Sequence, residues 1–203
     1  MKNKTNMLGR TMFETIAAIS IVGLIATGLY KVSTSVLNRY KLGRIGLQVS
    51  DLQKNITFFH MVKGSYYNLS WESMLEKRII PSDLKKNNSE GEHVFNGAVK
   101  IGHVKTADDM SDEASRFYIL FKAKSGGGGD PWIHACTSFA DMDWIADGTS
   151  NLVQQCYGEN CDITTVNGHQ KPNSSCTCSI TAPASNDALS KCSSKANVLW
   201  IFE

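Results

Sequence analysis

The chain has 203 residues, of which 42% are hydrophobic and 20% charged, with a formal net charge of +2. That excludes a disordered polyelectrolyte and leaves room for one domain plus an extra element rather than two full domains. The net charge hides a split: residues 1–125 carry 18 Lys and Arg against 11 Asp and Glu, whereas residues 126–203 carry 3 against 8. The basic residues form no dense run with interleaved aromatics, which argues against nucleic-acid binding. The split reads as two solvated faces of one domain, or as two surfaces able to attract each other.

A short basic leader, Met1 to Gly9 with Lys2 and Lys4, runs into Arg10-Thr11-Met12-Phe13-Glu14 and then sixteen uncharged residues from Thr15 to Tyr30. At 1.5 Å per residue that run spans about 24 Å, short of a hydrocarbon core about 30 Å thick. Adding Thr11 to Phe13 reaches the length but encloses Glu14, and a charge at a helix centre costs roughly 2.5–3.5 kcal/mol on insertion scales. Two simpler readings are a secretory signal cleaved near Ala26-Thr27-Gly28 and a plain signal anchor.

Against a cleaved signal, the helical pattern continues past Gly28. Val32, Val36, Tyr40, Gly43 and Leu47 recur every three or four positions, and Leu52, Ile56 and Phe59 carry the stripe onward. No proline occurs before Pro81. The pattern predicts one helix from Arg10 to about Met61, apolar all round in its first half and amphipathic in its second. Gly43 and Gly46 each weaken it by about 1 kcal/mol relative to alanine.

Gly64 to Asn68 reads as a turn, and Ser70 as the cap of a short helix, Trp71 to Arg78, ended by Ile79-Ile80-Pro81. Ser82 to Glu92 reads as a polar loop. Val94-Phe95, Val99-Lys100-Ile101 and Val104 suggest strands around an Asn96-Gly97 hairpin turn. Arg116 to Lys122 is the strongest strand pattern in the chain. Gly126 to Gly129 reads as a turn, and Ile133 to Ile145 as a helix carrying Cys136. From Gly148 onward there is little periodicity until Ala196 to Phe202, a strand that closes the sheet. The expected fold class is α+β: the amphipathic half of the helix packed on an antiparallel sheet of about four or five strands.

Cys136, Cys156, Cys161, Cys176, Cys178 and Cys192 all lie in the last third. An even count behind a membrane-targeting segment reads as a disulfide framework in an oxidising compartment, with connectivity open. Zinc is the rival, through Cys156, Cys161, Cys176 and Cys178, but neither spacing is the usual knuckle gap. Lys2, Lys4 and Arg10 are balanced by Lys31, Arg39, Lys41 and Arg44, so the positive-inside count does not orient the helix. The cysteines do, by placing the C-terminal region outside the cytoplasm.

His60, His93, His103, His134 and His169 are scattered and form no metal motif, and no nucleophile-base pair stands out. Neither an enzyme nor a cofactor is expected. Asp141-Met142-Asp143 with Asp147-Gly148 lacks the remaining positions of a calcium loop. Trp132, Trp144 and Trp200 read as core rather than contact residues.

The N-terminal constellation resembles the prepilins of the type IV filament superfamily, which includes type IV pilins and type II secretion pseudopilins. The leader ends in Gly9, the bond to Arg10 matches the cleavage position, and Glu14 matches the fifth mature residue. The resemblance implies a leader (1–9), a membrane and assembly segment (10–31) and an extracytoplasmic globular domain (32–203). Downstream, Ile80-Pro81, Phe95-Asn96-Gly97 and the cysteine-closed C-terminus are similar to type IVb-like pilins. It further implies N-methylation of Arg10 and polymerisation with other pilins, in which the Arg10 amine of one subunit pairs with Glu14 of the next. The implied partners are a prepilin peptidase, inner-membrane lipid and the assembly machinery. The implied location is a bacterial inner membrane with a cytoplasmic N-terminus, then a periplasmic or extracellular filament. Arg10 departs from the apolar residue the family usually has there, and Lys31 stands where many pilins carry a proline. Alternatives of another class are a membrane-anchored binding domain that never polymerises and a secreted disulfide-bonded protein.

Overall fold

The computed structural model describes residues 5–86, 90–105, 114–140, 152–166, 168–180 and 186–203. The chain divides into two compact units, Met1–Tyr40 and Lys41–Glu203. Helix α1 (Thr5–Lys63) is unbroken over 59 residues, as the absence of proline predicts. It begins earlier than expected: the Gly9–Arg10 bond lies inside it.

In the second unit a Ser70–Ser73 capping box starts α2 (Trp71–Glu76). Each serine hydroxyl accepts the other's backbone N–H, at 3.1 and 3.0 Å. The helix stops two residues short of the predicted Arg78, because Arg78 adopts φ +58 and turns the chain toward Ile79. The strands are β1 (Lys85–Lys86), β2 (Gly91–Glu92), β3 (Ala98–Val104), β4 (Arg116–Phe121), β5 (Leu152–Glu159), β6 (Ile163–Val166), β7 (His169–Pro172), β8 (Thr177–Ser179) and β9 (Ala196–Phe202). Helix α3 (Gly129–Ala140) lies between β4 and β5, and α4 (Asn186–Leu189) between β8 and β9. Trp144 and the Asp141–Gly148 stretch lie outside the described residues.

The antiparallel sheet has seven strands in the order β1-β2-β3-β4-β9-β5-β8, with β6 and β7 as a separate hairpin. It exceeds the expected size because the loop-like segments contribute strands. Lys85–Lys86 and Gly91–Glu92 add an edge from the polar stretch, and Leu152–Glu159 becomes an inner strand despite Gln154 and Gln155. Gln155 is buried and accepts the Tyr157 hydroxyl at 3.0 Å, so its polarity is satisfied inside. Val94 and Phe95 are turn rather than strand, since Glu92 pairs with Ala98 and encloses His93–Gly97.

The C-terminal strand lies inside the sheet rather than at its margin. β9 inserts between β4 and β5, and all seven of its residues are buried. Alternation decides which face each residue serves. Phe117, Ile119 and Phe121 of β4 join Val198, Trp200 and Phe202 of β9 in the main core. Leu120 and Leu199 face the other way and form a smaller cluster with Cys156 and Cys161.

Residues of α1 in this unit cover the main face with Ile45, Val49, Leu52, Ile56 and Phe59, a strict helical spacing. Of the eight predicted stripe positions only Leu52, Ile56 and Phe59 are buried here; Gly43 and Leu47 are exposed, and Val32, Val36 and Tyr40 are exposed in the first unit. Leu47 lies two positions from both Ile45 and Val49, roughly opposite them at 3.6 residues per turn, and is 55% exposed. Phe58 is 62% exposed beside a buried Phe59. Helix α3 adds Trp132, Ala135, Cys136 and Phe139 to the core, and the Trp132 indole donates to the Ala196 carbonyl at 2.8 Å.

All six cysteines are bridged: Cys136–Cys192, Cys156–Cys178 and Cys161–Cys176. Every thiolate the zinc alternative requires is consumed. Cys156 and Cys178 are register partners on β5 and β8, so one bridge fastens the edge strand to its neighbour. Cys161–Cys176 spans the base of the β6–β7 excursion, while Cys136–Cys192 ties α3 to the approach to β9.

Candidate functional site

The first unit is the N-terminal part of α1. Between Met12 and Tyr30 its only formally charged residue is Glu14, and every residue from Met12 to Ser33 is exposed. The exposed set includes large apolar side chains such as Phe13, Ile19, Leu24 and Leu29. By length and composition this helix is apolar enough to cross a membrane, as a membrane span or a signal sequence does, and both of those surroundings are lipid.

The polar side chains within the run suit such surroundings. Thr15 donates to the Met12 carbonyl at 2.9 Å, Ser20 to Ile16 at 2.8 Å and Thr27 to Leu24 at 2.9 Å. Each hydroxyl proton is satisfied on the helix's own backbone, so none requires water. Among the described residues a side chain at Gly23 or Gly28 would meet nothing within 4 Å, so no contact there explains either glycine. In a helix interior each costs about 1 kcal/mol relative to alanine.

Gly9 and Arg10 belong to the helical backbone of α1, with the Arg10 side chain outside the described residues. Glu14 is exposed one helical turn further on. In the second unit Leu47 and Phe58 continue the supply of exposed apolar side chains on α1.

The predicted hairpin residues have a structural part. Asn96 takes φ +59, and a side chain at Gly97 would collide with the Lys122 carbonyl and the His93 ring. His93 is buried, stacked between Phe121 (centroids 5.1 Å apart) and Trp132 (4.9 Å). Its Nδ1 accepts the Phe95 N–H at 3.2 Å, which leaves Nε2–H to donate to the Lys122 carbonyl at 2.9 Å. Burial lowers its pKa from 6.5 to about 4, outweighing the Lys122 carbonyl and Glu92, so the ring is neutral. The His103 ring packs at a tilt against Tyr67, centroids 5.5 Å apart, and His134 and His169 are exposed on α3 and β7. Among the described residues no three His, Cys, Asp or Glu side chains converge as metal ligands.

One cluster left no signal in the sequence. Lys122 Nζ lies 2.6 Å from Asp162 Oδ2, and Lys100 Nζ lies 3.2 Å from Glu90 Oε1 and 4.0 Å from Asp162. Lys122 and Asp162 are 40 positions apart in the chain. The β3–β4 pairing brings Lys100 and Lys122 to one region, and the turn after β5 delivers Asp162 to them.

No protein-family model matches this chain, and neither a curated protein nor a solved structure does.

Proposed function

We propose that the chain is a pilin-like subunit: a membrane-inserted precursor cleaved between Gly9 and Arg10, methylated at Arg10 and polymerised through α1. The observation that carries this reading is the exposed apolar surface from Met12 to Tyr30 with a single carboxylate, Glu14, near its start. A passive anchor has no use for that carboxylate. In a filament it can pair with the free α-amino group of a neighbouring Arg10, and an ion pair out of water specifies register. Gly23 and Gly28 support the same reading, since small residues let helices approach closely where no hydrophobic force separates them from lipid.

Cleavage at Gly9 requires the first turns of α1 to open, because the bond lies within the helix. Glycine, with the highest helical cost after proline, lowers the work of that opening. The second unit then forms the extracytoplasmic domain of a bacterial filament protein, with three disulfides suited to an oxidising compartment. Its role is structural, in adhesion, motility, DNA uptake or secretion.

N-terminal sequencing and mass spectrometry of the mature protein test the proposal. A methylated Arg10 is the expected result. An intact Met1 assigns the chain to anchored binding domains, and a start near Leu29 assigns it to secreted proteins; either overturns the filament reading.

A further inference from the structure

A polar depression of about 350 Å³ opens beside the charge cluster, lined by the segment that follows β4, its glycine turn, the β5–β6 connection and the start of β9. Three lysines, Lys122, Lys124 and Lys195, face a single carboxylate, Asp162. That carboxylate is already engaged by Lys122 at 2.6 Å and by the Ile163 N–H at 2.9 Å. Lys124 and Lys195 are exposed and ion-pair with nothing among the described residues. Lys195 is one of only three basic residues in the acidic stretch 126–203, so its position beside Lys124 concentrates positive charge against the local trend.

The walls are firm. Asn197 accepts the Ala123 N–H at 3.2 Å and donates to the Cys161 carbonyl at 2.9 Å, joining β9 to two of the lining segments. Gly126 and Gly127 hold φ +88 and +97, a conformation that favours glycine and leaves that wall as bare backbone. The glycine turn is fastened by Gly127 N–H to Lys124 at 2.8 Å and Gly128 N–H to Ser194 at 2.6 Å. Among the described residues no aromatic side chain lines the depression, so they offer no stacking platform for a base.

We infer that this depression is a binding site for a small hydrophilic organic anion, a carboxylate or sulfate on a carrier of about monosaccharide size. The exposed ammonium groups of Lys124 and Lys195 take the anionic group, and Asn160 with the glycine backbone offers polar contacts to the carrier. The inference is independent of whether the chain polymerises.

The test is an amide NMR titration of the full chain in detergent micelles with glucuronate, glucose 6-sulfate and, as the neutral control, glucose. Saturable shifts of Gly126 and Gly127 with either anion and none with glucose are expected, weakening as salt is added. The Lys124→Ala/Lys195→Ala chain, whose changes are confined to exposed side chains, should bind about tenfold more weakly with its remaining spectrum unchanged. Preference between the two anions identifies the group recognised. Absence of saturable shifts, equal shifts with glucose, or undiminished affinity in the double variant overturns the inference; should that variant misfold, insensitivity of the unaltered chain to salt does so equally.

Discussion

His93 donates from Nε2 to the carbonyl of Lys122 at 2.9 Å while its Nδ1 accepts the Phe95 N–H, so one neutral imidazole ties the 93–97 turn to the end of β4. Protonation would place a second N–H against the Phe95 donor, between two aromatic rings. The folded state therefore resists a proton that the unfolded chain takes up at the ordinary pKa of 6.5. Stability from this residue is complete above that value, declines as the pH falls toward about 4, and changes no further below it. Urea denaturation near pH 7 and pH 5 should show a loss of the order of 2 kcal/mol from this source, which His93→Gln removes. An unchanged pH dependence in that variant would show that His93 does not carry the effect.

The two sides of α1 should respond differently to truncation. Leu52 is fully buried, and Leu52→Ala should cost about 2–5 kcal/mol in denaturant unfolding. Leu47→Ala, on the exposed side, should stay within about 0.5 kcal/mol of the unaltered chain. Similar losses in both would mean that Leu47 is covered.

Glu14→Ala separates insertion from assembly. The variant should remain membrane-inserted, since a costly charge has been removed, and should fail to form filaments efficiently. Carbonate extraction reads the first property and electron microscopy of sheared filaments the second. Normal filament yield would sink the proposed pairing with Arg10.

Gly97 has no room for a side chain against the Lys122 carbonyl and the His93 ring. Gly97→Ala should destabilise the second unit by about 1–3 kcal/mol through overpacking. Thermal melting followed by near-ultraviolet circular dichroism, which reports the Trp132 and Trp200 environments, is a direct check.

The disulfides should rank by the loops they close. Cys136–Cys192 spans 56 residues, against 22 for Cys156–Cys178 and 15 for Cys161–Cys176. Paired Cys→Ala replacements should cost about 4 kcal/mol for the first bridge and about 3 kcal/mol for each of the others on the chain-entropy account. Denaturant titration under non-reducing conditions would reveal a reversed order if native contacts rather than loop closure dominate.

Several elements were legible because their signals are local. The proline-free run predicts α1, Ser70 begins α2, and Arg116 to Phe121 reads as a strand wherever it is placed. Leu152 to Glu159 was not legible, since its glutamines interrupt the apolar pattern and are accommodated only by partners inside the fold. The Lys122–Asp162 pair was equally hidden: nothing local links two residues that meet through separate strands.

By itself the sequence determined that a long apolar helix carrying Glu14 precedes an α+β region with six cysteines, because hydropathy, helix breakers and residue identity are properties of neighbouring positions. Tertiary structure alone decided which cysteines pair, that β9 lies within the sheet, and which side of α1 is covered. Val49 and Leu47 are both apolar, yet one is buried and the other exposed. Hydrophobicity states that a side chain gains by leaving water; only the surface presented by the sheet selects the face that does so.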